Sequence, residues 1–380
     1  MKIEVIASTK VGYVLSKEEA IDFSGKSAGI CYLPDSLEKL FAEPTEKTRK
    51  RANGNLESGH HSVFGHPTYN LILEDIPKII AMILNNEKIY NTSEKSARYT
   101  KMKSSEQEKN LYEKWITIYK DTISKEYPNF EEKRVQKLAQ ENARYLISIF
   151  TPATTMEYTV SFEQLNFIIS WFEDYINNEK ENSFTTKVKD AMKEFLQALP
   201  ELKVEKLNPR LKGTKLSLFA SRNREEEFGE NYCTNYLASF SQLAQAQRHR
   251  TLAYEMTLLE NPEYYVPEII KGTKLEEEWI KDISSLEEYY PQGMLVKVNE
   301  RGTVENFVLK CTERLCGAAQ FEIMKQTKTT MDKYLKEVKD KTVIYQYLLP
   351  YSKGARCTFP GWKCNSPCIF GGKNAMNRKI

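Results

Sequence analysis

The stretch Gln245-Ala246-Gln247-Arg248-His249-Arg250 closes an amphipathic run, Phe240 to Gln247, that reads as one short helix. Its last three residues set two guanidiniums and an imidazole side by side. Guanidinium binds phosphate and carboxylate through planar, bidentate hydrogen bonds. Three adjacent cationic or potentially cationic groups repel one another unless an anion sits among them. Taken alone, the triplet fits equally a solvated basic helix end placed favourably against the helix dipole. What the rest of the chain offers has to decide.

A second stretch far upstream decides it. Gly59-His60-His61-Ser62-Val63-Phe64-Gly65-His66 leads into a strand-like run, Thr68 to Glu74. A helical run, Ile76 to Asn85, follows, and then Ser96-Ala97-Arg98-Tyr99. Together these resemble the flavin-dependent thymidylate synthase family. That family carries Gly-His-x-Ser-x-x-Glu-His, a strand, a helix, Arg-His-Arg, and then Ser-x-Arg-Tyr. Here the pattern is divided between two halves. The first has Asn86-Glu87-Lys88 in place of Arg-His-Arg but keeps Ser96 and Arg98 at the family's distance. The second keeps Arg248-His249-Arg250 but has Leu258 in place of the Ser. The losses are complementary.

The resemblance implies a reaction and the residues for it. Its family transfers a methylene from methylenetetrahydrofolate to C5 of dUMP, with FAD as cofactor and NADPH as reductant, and needs no cysteine nucleophile. Glu94, Ser96, Arg98, Arg144, Gln245, Arg248 and Arg314 are implied to bind the nucleotide substrate. Ser62, His66, Arg248, His249 and Arg250 are implied to hold the cofactor, and Arg314 and His66 to act at the reacting centre. Arg314 precedes Ala319-Gln320-Phe321-Glu322-Ile323 as an Arg precedes Ala-Gln-x-Glu-Ile in the family, and Phe172 takes the equivalent place in the first half. Gly65 departs from the family's Glu, and Ala253, Glu255 and Met256 from its Ser, Asn and Glu. The Gly65 and Leu258 departures admit another C5 modification of a pyrimidine nucleotide, such as hydroxymethylation, or methylation of a ribonucleotide; the reading outside enzymes is a nucleotide- or flavin-binding protein without catalysis. The family is tetrameric with sites shared between subunits. A duplicated chain is therefore expected to form a homo-oligomer, a dimer of duplicated chains, with one composite site per repeat pair.

Composition narrows the setting. The 380 residues suffice for two domains, 41% are hydrophobic, and the net charge of +3 supplies no global field for nucleic acid. No apolar run approaches the length of a membrane span, and Met1 to Ser8 reads as a strand without the apolar core of a signal peptide. Seven cysteines in so long a chain point to reduced thiols or metal rather than a disulfide framework. The expected compartment is the cytoplasm. Cys357, Cys364 and Cys368 crowd the C-terminus, and with Cys316 they form a candidate structural zinc set.

Along the chain, Lys2 to Ala7 alternates as a strand, and Asp35 or Ser36 can cap a helix from Leu37. Helices are expected over 104–125, 131–150, 161–176, 185–199, 275–290 and 304–325, and extended segments over 156–160, 215–221, 231–236 and 294–298. Strands mixed with long helices, without regular βαβ alternation, indicate an α+β fold with two repeats, each a small antiparallel sheet packed with long helices. The first repeat spans 1–180, a connecting helix and linker 181–212, the second repeat 213–340, and a Cys-rich tail 341–380. No glycine-rich dinucleotide fingerprint follows a strand, so any flavin is held otherwise than in a Rossmann fold.

Overall fold

The computed structural model describes residues 15–32, 36–95, 104–209, 215–220, 222–340, 342–365, 368–370 and 372–380. In chain order the helices are α1 (Lys17–Gly29), α2 (Leu37–Phe41), α3 (Thr45–Ser58), α4 (Lys78–Leu84), α5 (Glu106–Glu126), α6 (Glu132–Ala143), α7 (Phe162–Asn178), α8 (Ser183–Ala198), α9 (Phe240–Ala246), α10 (Lys274–Ser284), α11 (Val304–Arg314), α12 (Phe321–Glu337) and α13 (Thr342–Leu348). The strands are β1 (Thr68–Pro77), β2 (Tyr90–Glu94), β3 (Pro152–Ser161), β4 (Glu227–Phe228), β5 (Asn231–Ser239), β6 (Ala253–Leu258) and β7 (Leu295–Thr303). The fold is mixed α+β. Two compact units form, each from two stretches of chain: Met1–Lys95 with Thr154–Leu216, and Ser96–Ala153 with Ser217–Ile380. Among the described residues no helix is long and apolar enough to cross a membrane.

The first unit is built on the sheet β1-β3-β2, in which β2 runs antiparallel to β3 with Asn91 opposite Thr159 and Glu94 opposite Met156. α4 bridges β1 and β2, and every residue from Ile79 to Leu84 is buried. α7 starts at the end of β3, where the Ser161 hydroxyl accepts from the Gln164 amide, and it packs against α8. Ser36 caps α2 as its sequence leads one to expect. α3 stops at Gly59, whose φ of 78° is the left-handed conformation that glycine adopts without penalty.

The second unit is built on the sheet β4-β5-β7-β6. β7 is central, with Asn299 opposite Asn235 of β5 and Glu255 of β6. One face of this sheet packs on α11 and α12 through Tyr232, Phe307 and Tyr334. α9 bridges β5 and β6, with Ser239 as its cap. The hairpin α5/α6, expected from sequence in the first repeat, packs here. Trp115 meets Trp279 of α10 edge-on at 4.8 Å, and its indole N–H donates to Asp282 at 2.8 Å. These rings and Tyr119 are fully buried at the centre of an aromatic-rich core.

Several elements differ from the pattern-based expectation, each for a tertiary reason. The helix expected over 131–150 stops at Ala143 because the chain there pairs with 290–293: Gln292 N–H donates to Ile147 C=O and Gly293 N–H to Tyr145 C=O, both at 2.8 Å. Gly293 is needed at that contact, since an added Cβ would come within 2.9 Å of the Tyr145 Cβ. The helix expected over 304–325 breaks at 315–320. Ala319 N–H turns back to Cys316 C=O, and Leu315 C=O accepts from Arg356 instead. The segment expected as a strand over 215–221 contains a 3-10 turn, Ser217–Phe219. β2 and β6 are short and lack a β-rich composition, so pairing with β3 and β7 rather than propensity defines them. The strand expected over Lys2 to Ala7 lies outside the described residues.

Candidate functional site

Arg144 and the basic residues nominated in the second half gather at the ends of three helices of one unit. Arg144 follows α6, Gln245 and Arg248-His249-Arg250 end and follow α9, and Arg314 ends α11. Arg314 Nε donates to His249 Nε2 at 2.7 Å, and Arg314 Nη2 to the Gln245 carbonyl at 3.1 Å. Arg144 Nη2 donates to Ser241 Oγ at 2.9 Å and to Gln320 Oε1 at 3.1 Å. The Gln245 amide also donates to Gln320 Oε1, so Gln245 ties the two guanidiniums together. Arg144 and Arg314 are half-buried, and among the described residues neither has a carboxylate partner within ion-pair distance. Arg248 and Arg250 are exposed beside them.

Electrostatics fix the protonation of this cluster. Burial pushes the His249 imidazole down to about 2, and Arg314, Lys310 and Arg248 push the same way. The ring is therefore neutral, with its proton on Nδ1, because Nε2 accepts from Arg314. Burial also lowers Arg314 from its ordinary value, and Arg248 adds to the effect. Two half-buried guanidiniums held by neutral acceptors can take up a phosphate or carboxylate without breaking an existing ion pair.

A polar chain supports the cluster from below. Gln320 Nε2 donates to the Tyr145 hydroxyl, which donates to Glu322 Oε2 at 2.7 Å. Glu322 further accepts from the Ser239 amide at 2.8 Å and hydroxyl at 2.6 Å. Burial raises the Glu322 carboxyl above its ordinary range, against the pull of these donors and of Arg144. This one carboxylate therefore anchors the start of α9, the start of α12 and the turn after α6.

Residues 15–200 match the family model described as thymidylate synthase complementing protein. Over that stretch, 186 of the 380 residues, the chain is similar to this family. No curated protein matches the chain. The thymidylate synthase complementing match points to a thymidylate synthase-type enzyme. It takes in β1, α4, β2, the α5/α6 hairpin with Arg144, β3, α7 and α8. It ends before β5, so the Arg-His-Arg segment and Arg314 lie beyond it.

Within the part matched to the thymidylate synthase complementing family, Ser62 and His66 are exposed on and just after the 3-10 turn His61–Gly65. A Cβ built at Gly65 would lie 3.4 Å from Glu163 Oε2, so another carboxylate stands near the place of the family's missing Glu. Glu94 forms an ion pair with Lys78, joining the end of β2 to the start of α4. Ser96 and Arg98 lie outside the described residues. Gln320, Tyr145, Ser241 and Glu322 were not nominated from sequence as site residues. The Ala-Gln-x-Glu-Ile motif was the available signal for Gln320 and Glu322, whereas the tertiary contacts of Tyr145 and Ser241 left none.

The cysteine expectation is corrected. Cys316, Cys357, Cys364 and Cys368 are free thiols, and among the described residues no three His, Cys, Asp or Glu side chains come together as a metal-binding group. The buried Arg378 guanidinium lies in the field of Cys316 and Cys368, and it donates to the Gly317 carbonyl at 2.7 Å. A fixed cation in that position disfavours a second one.

Proposed function

We propose that this protein is a flavin-dependent methyltransferase that makes thymidylate from dUMP with methylenetetrahydrofolate, at one composite site per chain. The observation that carries the reading is the pair Arg144 and Arg314, half-buried, bridged by Gln245 and bonded only to neutral acceptors. Such a pair suits a dianionic nucleotide phosphate. Arg248 and Arg250 extend the positive surface toward a second phosphate, as a flavin dinucleotide requires. Bound FAD supplies the hydride chemistry, with NADPH as reductant. This chain's own residues bind and orient, and Arg314 stabilises negative charge on the uracil ring. Ser96, Arg98 and Glu94 remain the nominated nucleotide contacts of the first half, and Ser62 and His66 its cofactor contacts, with His66 positioning a ring at the reacting centre.

Internal duplication supports the composite site. Setting aside the two-residue β4, both sheets carry their three strands in the order first, third, second. The first strand ends at Pro77 in one unit and Ser239 in the other, 162 residues on; β3 and β7 end at Ser161 and Thr303, 142 residues apart. Carrying these two separations across, the pair Asn91–Thr159 becomes Ala253–Arg301, and Glu94–Met156 becomes Met256–Val298. Both are true pairs of the second sheet. The shared strand order and register support reading the two units as diverged copies of one repeat.

The test has two readouts. Purified protein should take up FAD and show its visible spectrum, and with dUMP, methylenetetrahydrofolate and NADPH it should release thymidylate. A colourless protein that cannot be reconstituted sinks the flavin reading. A hydroxymethylated product would favour the rival C5 chemistry, which the Gly65 departure admits. Nucleotide binding without turnover would leave a non-catalytic binder. Light scattering should report a dimer of chains.

A further inference from the structure

The second sheet has a face that the proposed nucleotide site does not use. Because opposed residues of antiparallel strands point to the same side, the register aligns Asn235, Asn299 and Glu255 in one row across β5, β7 and β6. The side chains of this row line a cavity of about 300 Å³, with Arg224 beside them and Arg222 and Lys297 at its exposed rim. A cavity of that size sits at the lower end of small-molecule sites.

Its floor is polar and incompletely bonded. Glu255 is 4% exposed. Its Oε1 accepts from Arg224 at 2.9 Å and from Arg301 at 2.5 Å, whereas Oε2 has no hydrogen-bond partner among the described residues. The Asn299 amide has a determined orientation. Asn235 Nδ2 donates to the Arg224 carbonyl, so Asn235 Oδ1 accepts from Asn299 Nδ2 at 3.0 Å. That leaves Asn299 Oδ1 without a partner as well. Two buried acceptors in one row call for hydrogen-bond donors. Around them stand four cations, Arg222, Arg224, Lys297 and Arg301, against the single carboxylate of Glu255. The Nε atoms of Arg224 and Arg301 are also unpaired. The surplus of positive charge suits a dianion better than a monoanion.

We propose that this cavity binds a phosphate monoester carrying hydroxyl groups, with the phosphate on the rim cations and hydroxyls donating to Glu255 Oε2 and Asn299 Oδ1. The site is particular to the second unit. The positions of the first sheet matched by register to Asn299, Glu255 and Arg301 are Glu157, Ser93 and Thr159, a set without a cation.

Calorimetric titration of the full chain with ribose 5-phosphate, inorganic phosphate and ribose tests this. Ribose 5-phosphate should bind about tenfold or more tightly than either fragment. Arg222→Ala combined with Lys297→Ala alters only exposed rim side chains, and it should weaken ribose 5-phosphate and phosphate alike. Glu255→Gln should weaken ribose 5-phosphate while leaving inorganic phosphate unchanged. Repeating the titrations on Arg314→Ala removes phosphate binding at the proposed nucleotide site, and the preference for ribose 5-phosphate should persist in that variant, so failure of this proposal and failure of the nucleotide reading are separable. No saturable binding at millimolar ligand, equal affinity for inorganic phosphate and ribose 5-phosphate, or indifference to the rim substitutions would overturn it.

Discussion

Where α4 ends in the first unit, the chain continues Asn86-Glu87-Lys88, and the first two of these side chains are buried. Where α9 ends at the matched place in the second unit, it continues Arg248-His249-Arg250, with both arginines exposed. The helices that follow the third strands differ in the same sense. At the same step from the helix start stand Phe172, fully buried against Phe195 with ring centroids 5.4 Å apart, and Arg314, bonded to His249. One backbone plan thus carries two end-uses. In the first unit these positions are spent on packing, and in the second they carry arginines, of which Arg314 bonds to the neutral His249 ring. An anion site here is not a property of the strand-helix-strand plan. It depends on which side chains stand at a few helix ends.

The comparison can be broken most severely by exchanging the pair. Phe172→Arg should destabilise the fold by roughly 3–5 kcal/mol, since it removes a packed ring and buries an unpartnered charge. It should create no nucleotide site, and thermal or denaturant unfolding will read the loss. A well-folded variant that binds a second dUMP would mean that the two units still share one binding plan.

Arg314→Ala should remove dUMP binding or weaken it by about a hundredfold, the cost of one charge-assisted clamp, at little cost in stability. Titration of the unaltered chain should show one dUMP site per chain that is lost in Arg314→Ala. Two equivalent sites would erase the distinction drawn between the units.

A subtler contrast lies in pH. His249 is held neutral down to about 2 when folded, whereas an unfolded imidazole takes up its proton near 6.5. Between those values the unfolded state binds more protons, so the stability contribution is complete above about 6.5 and is lost as pH falls below it. The slope is at most roughly 1.4 kcal/mol per pH unit. His249→Gln should flatten stability measured between about pH 4 and 7. An unchanged slope would mean that burial beside Arg314, Lys310 and Arg248 does not hold the ring neutral.

Much of this was legible in the sequence, and the failures follow one rule. Strands β1 and β5, helix α9 and the Ser36 cap are set by local chemistry, and they stand close to where periodicity and capping residues put them. The end of α6 and the break after α11 are set by partners more than a hundred residues away or in the tail, such as Gln292 on Ile147 and Arg356 on Leu315. The candidate site divides in the same way. Its arginines announced themselves as a charge cluster and by family resemblance. Tyr145 and Ser241 acquire their place only through tertiary contact, and the zinc expectation failed because spacing says nothing of an arginine such as Arg378 at the same spot.

The aromatic core of the second unit has a consequence for biosynthesis. Trp115 and Tyr119 leave the ribosome well before Trp279, the ring they close upon. At ordinary elongation rates the interval is on the order of ten seconds, long compared with helix formation. During it the α5/α6 hairpin presents an uncovered aromatic stripe while the sheet and helices of the first unit are completed. Nascent chains arrested before residue 279 should therefore be the species most prone to chaperone capture and aggregation.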